Sequence, residues 1–298
     1  MKMENWEQIA KEFYPKEFEG FKRSLGDGRR PDTVVFTTIE GDVERRDLTM
    51  NALFYDIVKK KVIDLVGGIK DIKNGIVRTV GAPEDRFGED RLRILRAIRF
   101  AARFGSDLDP AIDAALLKDA SLDKISGERI RDEFIKGIVS AKSVTMYLKM
   151  LDKYKLFDYI FKGLKVNKNF VEDKDTIIVL AELLKDNEIN VLAKVLNELK
   201  YSVEEIKAIK FLISLSVLSV NTAVLLKKVQ EHSGVTITEI RKFSKSLEIS
   251  SELIEAFIEF NLSVTGQEIM DKTGIKAGPE LGKAIYTVET NNFQKLLK

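Results

Sequence analysis

The sequence predicts an α+β protein in which a small mixed sheet is followed by a long, all-helical remainder. β-type patterns are confined to the first 80 residues, where short apolar and β-branched runs alternate with glycine-rich or charged turns. From residue 81 onward, apolar residues recur every three or four positions, which is the spacing of helices that bury one face. We therefore expect one small sheet to precede several packed helices.

The predicted strands and turns follow one another closely in the N-terminal part. A short helix is expected at residues 1–14, and a turn-rich basic loop at residues 26–32. Strands are expected at residues 33–38, 53–58, 61–66 and 75–80, and the second and third of these form a hairpin that turns at the lysines. In the helical part, Ser126 is expected to cap a helix, and Pro279 to lie in the first turn of the last one.

Residues 88–104 predict an amphipathic helix with two polar edges. On one side Arg96, Arg99 and Arg103 form a basic stripe, and at another edge Asp90 and Arg93 lie three residues apart. The apolar face consists of Ile94, Leu95, Ala97, Ile98, Ala101 and Ala102. This face predicts that the helix packs against a core.

The two polar edges have two interpretations. Arginine guanidinium groups suit phosphate oxygens, and an adjacent Asp and Arg offer the acceptor and donor that read the edge of a nucleobase. Alternatively, the helix is merely solvated and carries surface ion pairs such as Glu89 with Arg93. The helix by itself leaves both interpretations open.

Composition excludes several classes of site. The 298 residues contain no cysteine and one histidine, so disulfides, thiolate metal sites and histidine clusters are excluded. No apolar run is long enough to predict a membrane span, and we expect a cytoplasmic protein. The net charge of +2 conceals a local excess, because residues 91–103 contain repeated arginines and no carboxylate. Such a basic region is compatible with a polyanionic ligand.

Several short polar motifs follow one another along the chain in a fixed order. The series runs through DGRRP at residues 27–31, RRDLTMNA at 45–52, Asp64 with Gly68 and Asp71, EDRLR at 89–93 with Arg96 and Arg99, SGER at 126–129, and Thr265-Gly266 with residues 277–282. This series resembles the class II tRNA nucleotidyltransferase (CCA-adding enzyme) and bacterial poly(A) polymerase family. It covers residues 17–289. The order of the motifs makes the resemblance specific.

The resemblance implies roles for individual residues. Asp47 would contact the ribose of the incoming nucleotide, and Asn51 would help to hold its triphosphate side. Asp90 and Arg93 would read C and A, while Arg96 and Arg99 would hold phosphates or shape the nucleotide pocket. The stretch from Asp64 to Asp71 resembles the family's flexible loop, with ordinary turn chemistry as the alternative.

One departure from the family pattern concerns the metal ions. The family's head begins with a GGxVRD turn and an Asp-x-Asp pair that holds two metal ions, and neither precedes residue 27. Asp107 and Asp109 form a literal Asp-x-Asp pair, but they follow the arginine helix and are interpreted as structural. Alignment upstream of the DGR loop makes Glu17 the candidate catalytic carboxylate, with Glu19 as the competing choice; the metal ligands stay unknown.

The resemblance implies an incomplete polymerase-β-like nucleotidyltransferase head with a small mixed sheet, followed by an all-α neck, body and tail. The expected limits are 1–105 for the partial head, 106–165 for the neck, and 166–298 for the tRNA-binding body and tail. The implied reaction is template-independent addition of C and A from CTP and ATP, with Mg²⁺, to the 3′ end of tRNA.

The missing carboxylates lead us to expect the larger part of a split enzyme. It would be inactive alone and would need a second polypeptide. The alternatives are a catalytically inactive RNA-binding or regulatory homologue, and a poly(A) polymerase. Candidate tRNA contacts are Lys272, Lys276 and Lys283, which surround the loop that precedes the last helix.

Overall fold

A computed structural model describes residues 21–25, 33–247 and 249–297. The chain divides into two compact units, Met1–Ile160 and Phe161–Lys298. The head–neck boundary predicted at residue 105 falls inside the first unit, and the predicted domain limits stay a prediction. The expected helix at residues 1–14, the basic loop at residues 26–32, and Glu17 and Glu19 lie outside the described residues.

The strands of the first unit form three two-stranded pairs. Two pairs are antiparallel: β1 (Phe21–Leu25) with β2 (Thr33–Thr37), and β3 (Leu53–Asp56) with β4 (Lys61–Asp64). The third pair is parallel, and it joins β5 (Ile76–Val77) to β6 (Asp107–Leu108). The predicted α+β class, with a small β region ahead of a helical remainder, is confirmed.

All four predicted strands are shorter than expected, and β3 and β5 show why. β3 ends at Asp56 because its carboxylate accepts the backbone N–H groups of Val58 and Lys59, which turns the chain into the hairpin loop. β5 ends at Val77, after which Arg78 and Thr79 pair through their backbones with Thr49 and Leu48. β6 was not expected, because a two-residue strand produces no detectable periodicity.

The first unit contains eight described α-helices, and the apolar face of α4 is fully buried. They are α1 (Ile39–Glu44), α2 (Gly68–Asn74), α3 (Pro83–Glu89), α4 (Leu92–Phe104), α5 (Pro110–Lys118), α6 (Gly127–Ser140), α7 (Val144–Lys153) and α8 (Phe157–Ile160), with a short 3₁₀ helix at Thr49–Asn51. The six apolar residues predicted to face the core are at most 1% exposed, which confirms that prediction. α4 packs against α6 and α7.

The predicted helix at residues 88–104 is wrong at its N-terminal end. α3 ends at Glu89, Asp90 is extended (φ −151°, ψ 107°), and α4 begins only at Leu92. The carboxylate of Asp90 accepts the backbone N–H of Leu92 at 3.0 Å. Aspartate therefore interrupts the helix here by offering the backbone a partner outside the helical ladder. Asp90 lies in the link between two helices, and only Arg93 lies on α4.

The contact between α6 and α7 requires a glycine. A Cβ atom on Gly137 would lie 2.1 Å from the ring of Tyr147, so any side chain there would displace α7. Ser126 occupies the capping position of α6 as predicted, but its side chain makes no capping hydrogen bond. The predicted position of Ser126 is therefore correct, and the predicted capping hydrogen bond is wrong.

Helices are the only regular secondary structure in the described part of the second unit. Its helices are α9 (Thr176–Leu184), α10 (Ile189–Glu198), α11 (Val203–Ser214), α12 (Ala223–Gln230), α13 (Ile237–Ser244), α14 (Ser251–Glu259), α15 (Gly266–Thr273) and α16 (Pro279–Lys295), with a 3₁₀ turn at Leu215–Val217. Pro279 begins the last helix, as predicted. Among the described helices, none combines the length and the hydropathy that a bilayer crossing needs.

Candidate nucleotide-binding site

The segment that follows α1 is fixed by a buried carboxylate. Asp42 is 1% exposed and forms ion pairs with both Arg45 and Arg46. Arg46 also donates to the backbone carbonyl of Asn51 at 3.1 Å, and its guanidinium group lies over the ring of Phe54. These contacts hold the turn between α1 and the 3₁₀ helix, which is where Asp47 lies.

Asp47 is the centre of a polar cluster that joins two distant parts of the sequence. Its Oδ1 accepts the backbone N–H of Leu48 at 2.8 Å and the side-chain amide of Asn51 at 3.1 Å. Its Oδ2 accepts from Nε of Arg96, on α4, at 2.6 Å. Burial would raise the pKa of this carboxyl, but the charge and hydrogen bond of Arg96, with the bonds from Asn51 and Leu48, lower it overall. Asp47 is therefore an ionised acceptor at neutral pH.

Arg96 and Arg99 differ sharply in their surroundings, although both belong to the predicted basic stripe. Arg99 has a side chain that is 9% exposed, and its Nε donates to Oε2 of Glu133, on α6, at 2.7 Å. The Arg96 side chain is 33% exposed and lies 4.0 Å from the other oxygen of Glu133. The two arginines of the predicted stripe are therefore not equivalent, because α6 covers Arg99 and supplies its counter-charge.

Sequence reasoning missed Glu133. The signal was present, since Glu133 lies three residues after Ile130 and four before Gly137, both of which are buried. A carboxylate on the apolar face of a helix is costly without a cationic partner, so it marks a contact with a basic group. The sequence does not say which cation that is.

The side chains of Asp90 and Arg93 pair with other residues, although the backbone N–H of Arg93 donates to the Asp90 carbonyl at 3.0 Å. Oδ2 of Asp90 accepts from Nη2 of Arg129, at the start of α6, at 2.7 Å. Arg93 donates to the carboxylate of Glu89 at 2.5 Å and to the backbone carbonyl of Arg45 at 3.0 Å. The surface pair between Glu89 and Arg93, which was the alternative interpretation, is therefore present. Through the Arg45 carbonyl, Arg93 also contacts the segment that carries Asp47.

The carboxylates of the stretch from Asp64 to Asp71 both have partners within the first unit. Asp64 accepts the backbone N–H groups of residues 66–69, at 2.8–3.2 Å. Asp71 is buried; it accepts from the hydroxyl of Thr49 at 2.7 Å and pairs with Arg78 at 3.2 Å. A Cβ on Gly68 would lie 2.3 Å from the Thr49 carbonyl oxygen, so this approach needs glycine. These contacts agree with turn chemistry.

The described residues do not supply a metal site. No group of three or more Asp, Glu or His side chains that could hold a metal ion occurs within residues 21–25, 33–247 and 249–297. Asp109 is buried, caps α5 through the N–H of Ala111, and pairs with Arg78 at 2.5 Å. The structural interpretation of the Asp107–Asp109 pair fits these contacts.

The candidate tRNA contacts lie in the second unit, on and between α15 and α16. Lys272 and Lys276 are exposed. Lys283 is also exposed, and its ammonium group lies 2.9 Å from the carboxylate of Glu280, which is equally exposed. An exposed ion pair contributes little energy, so Lys283 can exchange this partner for another anion.

Comparisons with known proteins agree with these motifs. Two family models match: Poly A polymerase head domain over residues 16–78, and Probable RNA and SrmB- binding site of polymerase A over residues 107–167. The CCA-adding enzyme of Ligilactobacillus salivarius is 31% identical over 289 residues, which are 88% of this chain and 70% of that enzyme. The chain belongs to the family of CCA-adding enzymes and poly(A) polymerases. It is therefore a member of a nucleotidyltransferase family.

Further family members differ in how much of their length is matched. The CCA-adding enzyme of Staphylococcus saprophyticus is 30% identical over 305 residues, covering 91% of this chain and 75% of that enzyme. Poly(A) polymerase I of Escherichia coli O157:H7 is 35% identical over 157 residues, which are 52% of this chain but only 33% of that enzyme.

Solved structures of family members share the fold. The crystal structure of Bacillus stearothermophilus CCA-adding enzyme in complex with CTP gives a TM-score of 0.62 at 24% identity, and covers 93% of this chain and 73% of that one. Thermotoga maritima CCA-adding enzyme complexed with tRNA gives a TM-score of 0.63 at 20% identity. The match covers 98% of this chain and 82% of that one.

Proposed function

We propose that this chain adds C and A to the 3′ end of tRNA as the larger part of a split CCA-adding enzyme. The observation that carries the proposal is the convergence of Asp47, Asn51 and Arg96, which come from two motifs of the family, in one polar cluster. The substrates are CTP and ATP, and the proposed location is the cytoplasm. Mg²⁺ is the expected metal ion, held mostly by carboxylates outside the 298 residues on a second polypeptide.

Each side chain of the polar cluster around Asp47 contacts a different part of the nucleotide in this proposal. Asp47 is an ionised acceptor suited to ribose hydroxyl groups, and Asn51 lies beside it to contact the triphosphate side. Arg96 uses Nε for Asp47, which leaves the amino groups of its guanidinium fork for phosphate oxygens. Arg99 shapes the pocket from the core through Glu133.

Asp90 and Arg93 supply the base-reading edge in this proposal. The oxygens of Asp90 already accept from Leu92 and Arg129, but each carboxylate oxygen has a second lone pair for an exocyclic amine. Arg93 must release Glu89 to reach a base; Glu89 is half exposed, while the Arg93 side chain is 17% exposed and also donates to the Arg45 carbonyl. Both changes are local to the link between α3 and α4.

Two other functions have specific support. Poly(A) polymerase I of Escherichia coli matches over 157 residues, so addition of A alone is one candidate. The lack of a metal-holding carboxylate group in the described residues favours a catalytically inactive RNA-binding homologue. Transfer assays with CTP and ATP supplied separately distinguish the first candidate, and reconstitution with a catalytic segment distinguishes the second.

Replacing Asp90 by Asn and Arg93 by Met should weaken the choice of base. A hydrogen-bonded base edge contributes about 1–3 kcal/mol of discrimination, so we expect the preference for CTP and ATP over UTP and GTP to fall by about 5- to 150-fold. Calorimetric titration of the purified chain with each nucleotide measures this preference.

A matched control for this test is Asp119→Asn, which removes a similar exposed pair, to Arg91 at 2.7 Å. The control should keep the selectivity of the unmodified chain. Unchanged selectivity in the Asp90 and Arg93 variants would instead mean that these side chains form ion pairs and do not read the base.

The loop between α15 and α16 should bind tRNA through phosphates. An enzyme that acts on every tRNA must recognise shape and backbone charge, so Lys276→Ala with Lys283→Ala should weaken binding similarly for unrelated tRNAs. The slope of log affinity against log salt should flatten by a little under one unit for each lysine that contacts a phosphate. Filter binding at several salt concentrations measures both quantities.

Lys194→Ala with Lys207→Ala is the control for the loop variant, because both lysines are exposed on helices of the same unit. This control should leave the salt slope unchanged. Full affinity in the loop variant, or a loss confined to one tRNA sequence, would exclude this loop as the tRNA-binding surface.

A further inference from the structure

Glu133 is a buried carboxylate that lies between two arginines of α4. Its side chain is 6% exposed, Oε2 accepts from Nε of Arg99 at 2.7 Å, and Oε1 lies 4.0 Å from Nη1 of Arg96. Lys136, one turn further along α6, approaches Oε1 at 3.7 Å from the solvent side. One carboxylate therefore faces three cations, and its direct hydrogen bond goes to the most buried of them.

The two arginines are consequently unequal. Arg99 is held in the core by Glu133, and its guanidinium group lies 4.5 Å from the centre of the Phe100 ring. Arg96 is held by Asp47, stays one-third exposed, and lies 5.7 Å from the same ring. Two identical cations one helical turn apart thus have different closest carboxylates and different degrees of exposure.

We propose that Glu133 is a positioning residue that keeps Arg99 away from Asp47, so that Arg96 alone presents its guanidinium group to the phosphates of the nucleotide. This inference rests on the proposed function, because it assumes that the cluster binds a nucleoside triphosphate. Arg96 lies 2.6 Å from Asp47 and 4.0 Å from Glu133, so the two carboxylates flank one guanidinium group. Once Glu133 loses its charge, Asp47 is the carboxylate that remains beside these arginines, and the proposal has Arg99 turn toward it. Competition between the two arginines for Asp47 would then misplace Arg96.

The proposal and a simple charge effect predict opposite results. Removing one negative charge beside the arginines raises the local positive potential, which by itself would tighten the binding of a triphosphate. Misplacing Arg96 removes a charge-assisted hydrogen bond and weakens that binding. The direction of the change therefore distinguishes the two effects.

The test compares CTP with CMP on the full chain by calorimetric titration. In Glu133→Gln, which keeps the side-chain length and removes the charge, the ratio of CTP affinity to CMP affinity should fall about tenfold, the effect of one charged hydrogen bond. In the double variant Glu133→Gln with Arg99→Met, the competing cation is absent, and the ratio should return to within about threefold of the unmodified chain. Tighter CTP binding in the single variant, or no return in the double variant, would overturn the proposal.

A control for folding uses the second unit. Glu182 is similarly buried and pairs with Lys185 at 3.2 Å, so Glu182→Gln should lower stability without changing the CTP-to-CMP ratio. If Glu133→Gln does not fold, Glu133→Asp keeps the charge on a shorter side chain, and the ratio should fall less than tenfold but still return with Arg99→Met. An unmodified chain that binds CTP no better than CMP contradicts the proposed function itself, whereas normal CTP preference with an unaffected Glu133 variant contradicts only this inference.

Discussion

The purified 298-residue chain is expected to show no nucleotidyl transfer to tRNA, and a segment that carries GGxVRD and Asp-x-Asp is expected to restore it. Two-metal phosphoryl transfer needs carboxylates that hold the ions at the attacking and leaving oxygens. The sequence has no aspartate before residue 27, and the described residues gather no metal-holding group. The transfer rates with and without the segment are therefore expected to differ by many orders of magnitude, which is the size of an enzyme's rate enhancement.

The measurement is the extension of tRNA that lacks its CCA end, in the presence of CTP, ATP and magnesium. One reaction contains the chain alone, and the other also contains the corresponding N-terminal segment of a CCA-adding enzyme. The segment alone is the matching control. Robust extension by the chain alone would mean that its own residues bind the metal. Glu17→Gln and Glu19→Gln, made singly, would then locate them. If the segment restores nothing while tRNA and CTP still bind, the inactive RNA-binding homologue is the better description.

Arg99→Met should lower the free energy of unfolding by about 1.5–3 kcal/mol, because it removes the charged hydrogen bond of the buried Glu133 carboxylate while Arg96 and Lys136 stay within 4.0 Å of it. The size of this loss of stability distinguishes a structural role of Arg99 from a role in phosphate binding. An arginine kept free for phosphates would repel its neighbours in the unbound protein, and its removal would be neutral or stabilising. Urea denaturation followed by circular dichroism measures the change, provided that the transition is two-state.

Arg103→Met supplies the comparison, because Arg103 lies on the same helix and is exposed. Its replacement should change stability by no more than about 0.5 kcal/mol. Equal stability of the two variants, with CTP binding lost only in Arg99→Met, would return Arg99 to the role of a phosphate contact.

The residues of the cluster were predictable to different extents. Asp47 and Asn51 are four positions apart in one motif, so their proximity could be predicted without knowing how the chain packs. The apolar face of α4 was equally predictable, because its spacing depends only on the helical repeat. The break at Asp90 was not, since a helix pattern continues across it. It depends on one side-chain hydrogen bond to the Leu92 backbone.

Sequence patterns were enough to predict the family, a small β region ahead of many helices, and the residue types of the nucleotide cluster. Which carboxylate pairs with which cation depends instead on how the helices pack. Glu133 and Arg129 are 34 and 39 positions from the residues they bind, Arg99 and Asp90, and only the packing of α6 against α4 brings them there. The physical reason is that helical periodicity records which face is buried, whereas an ion pair between helices depends on their relative placement, which no local pattern contains.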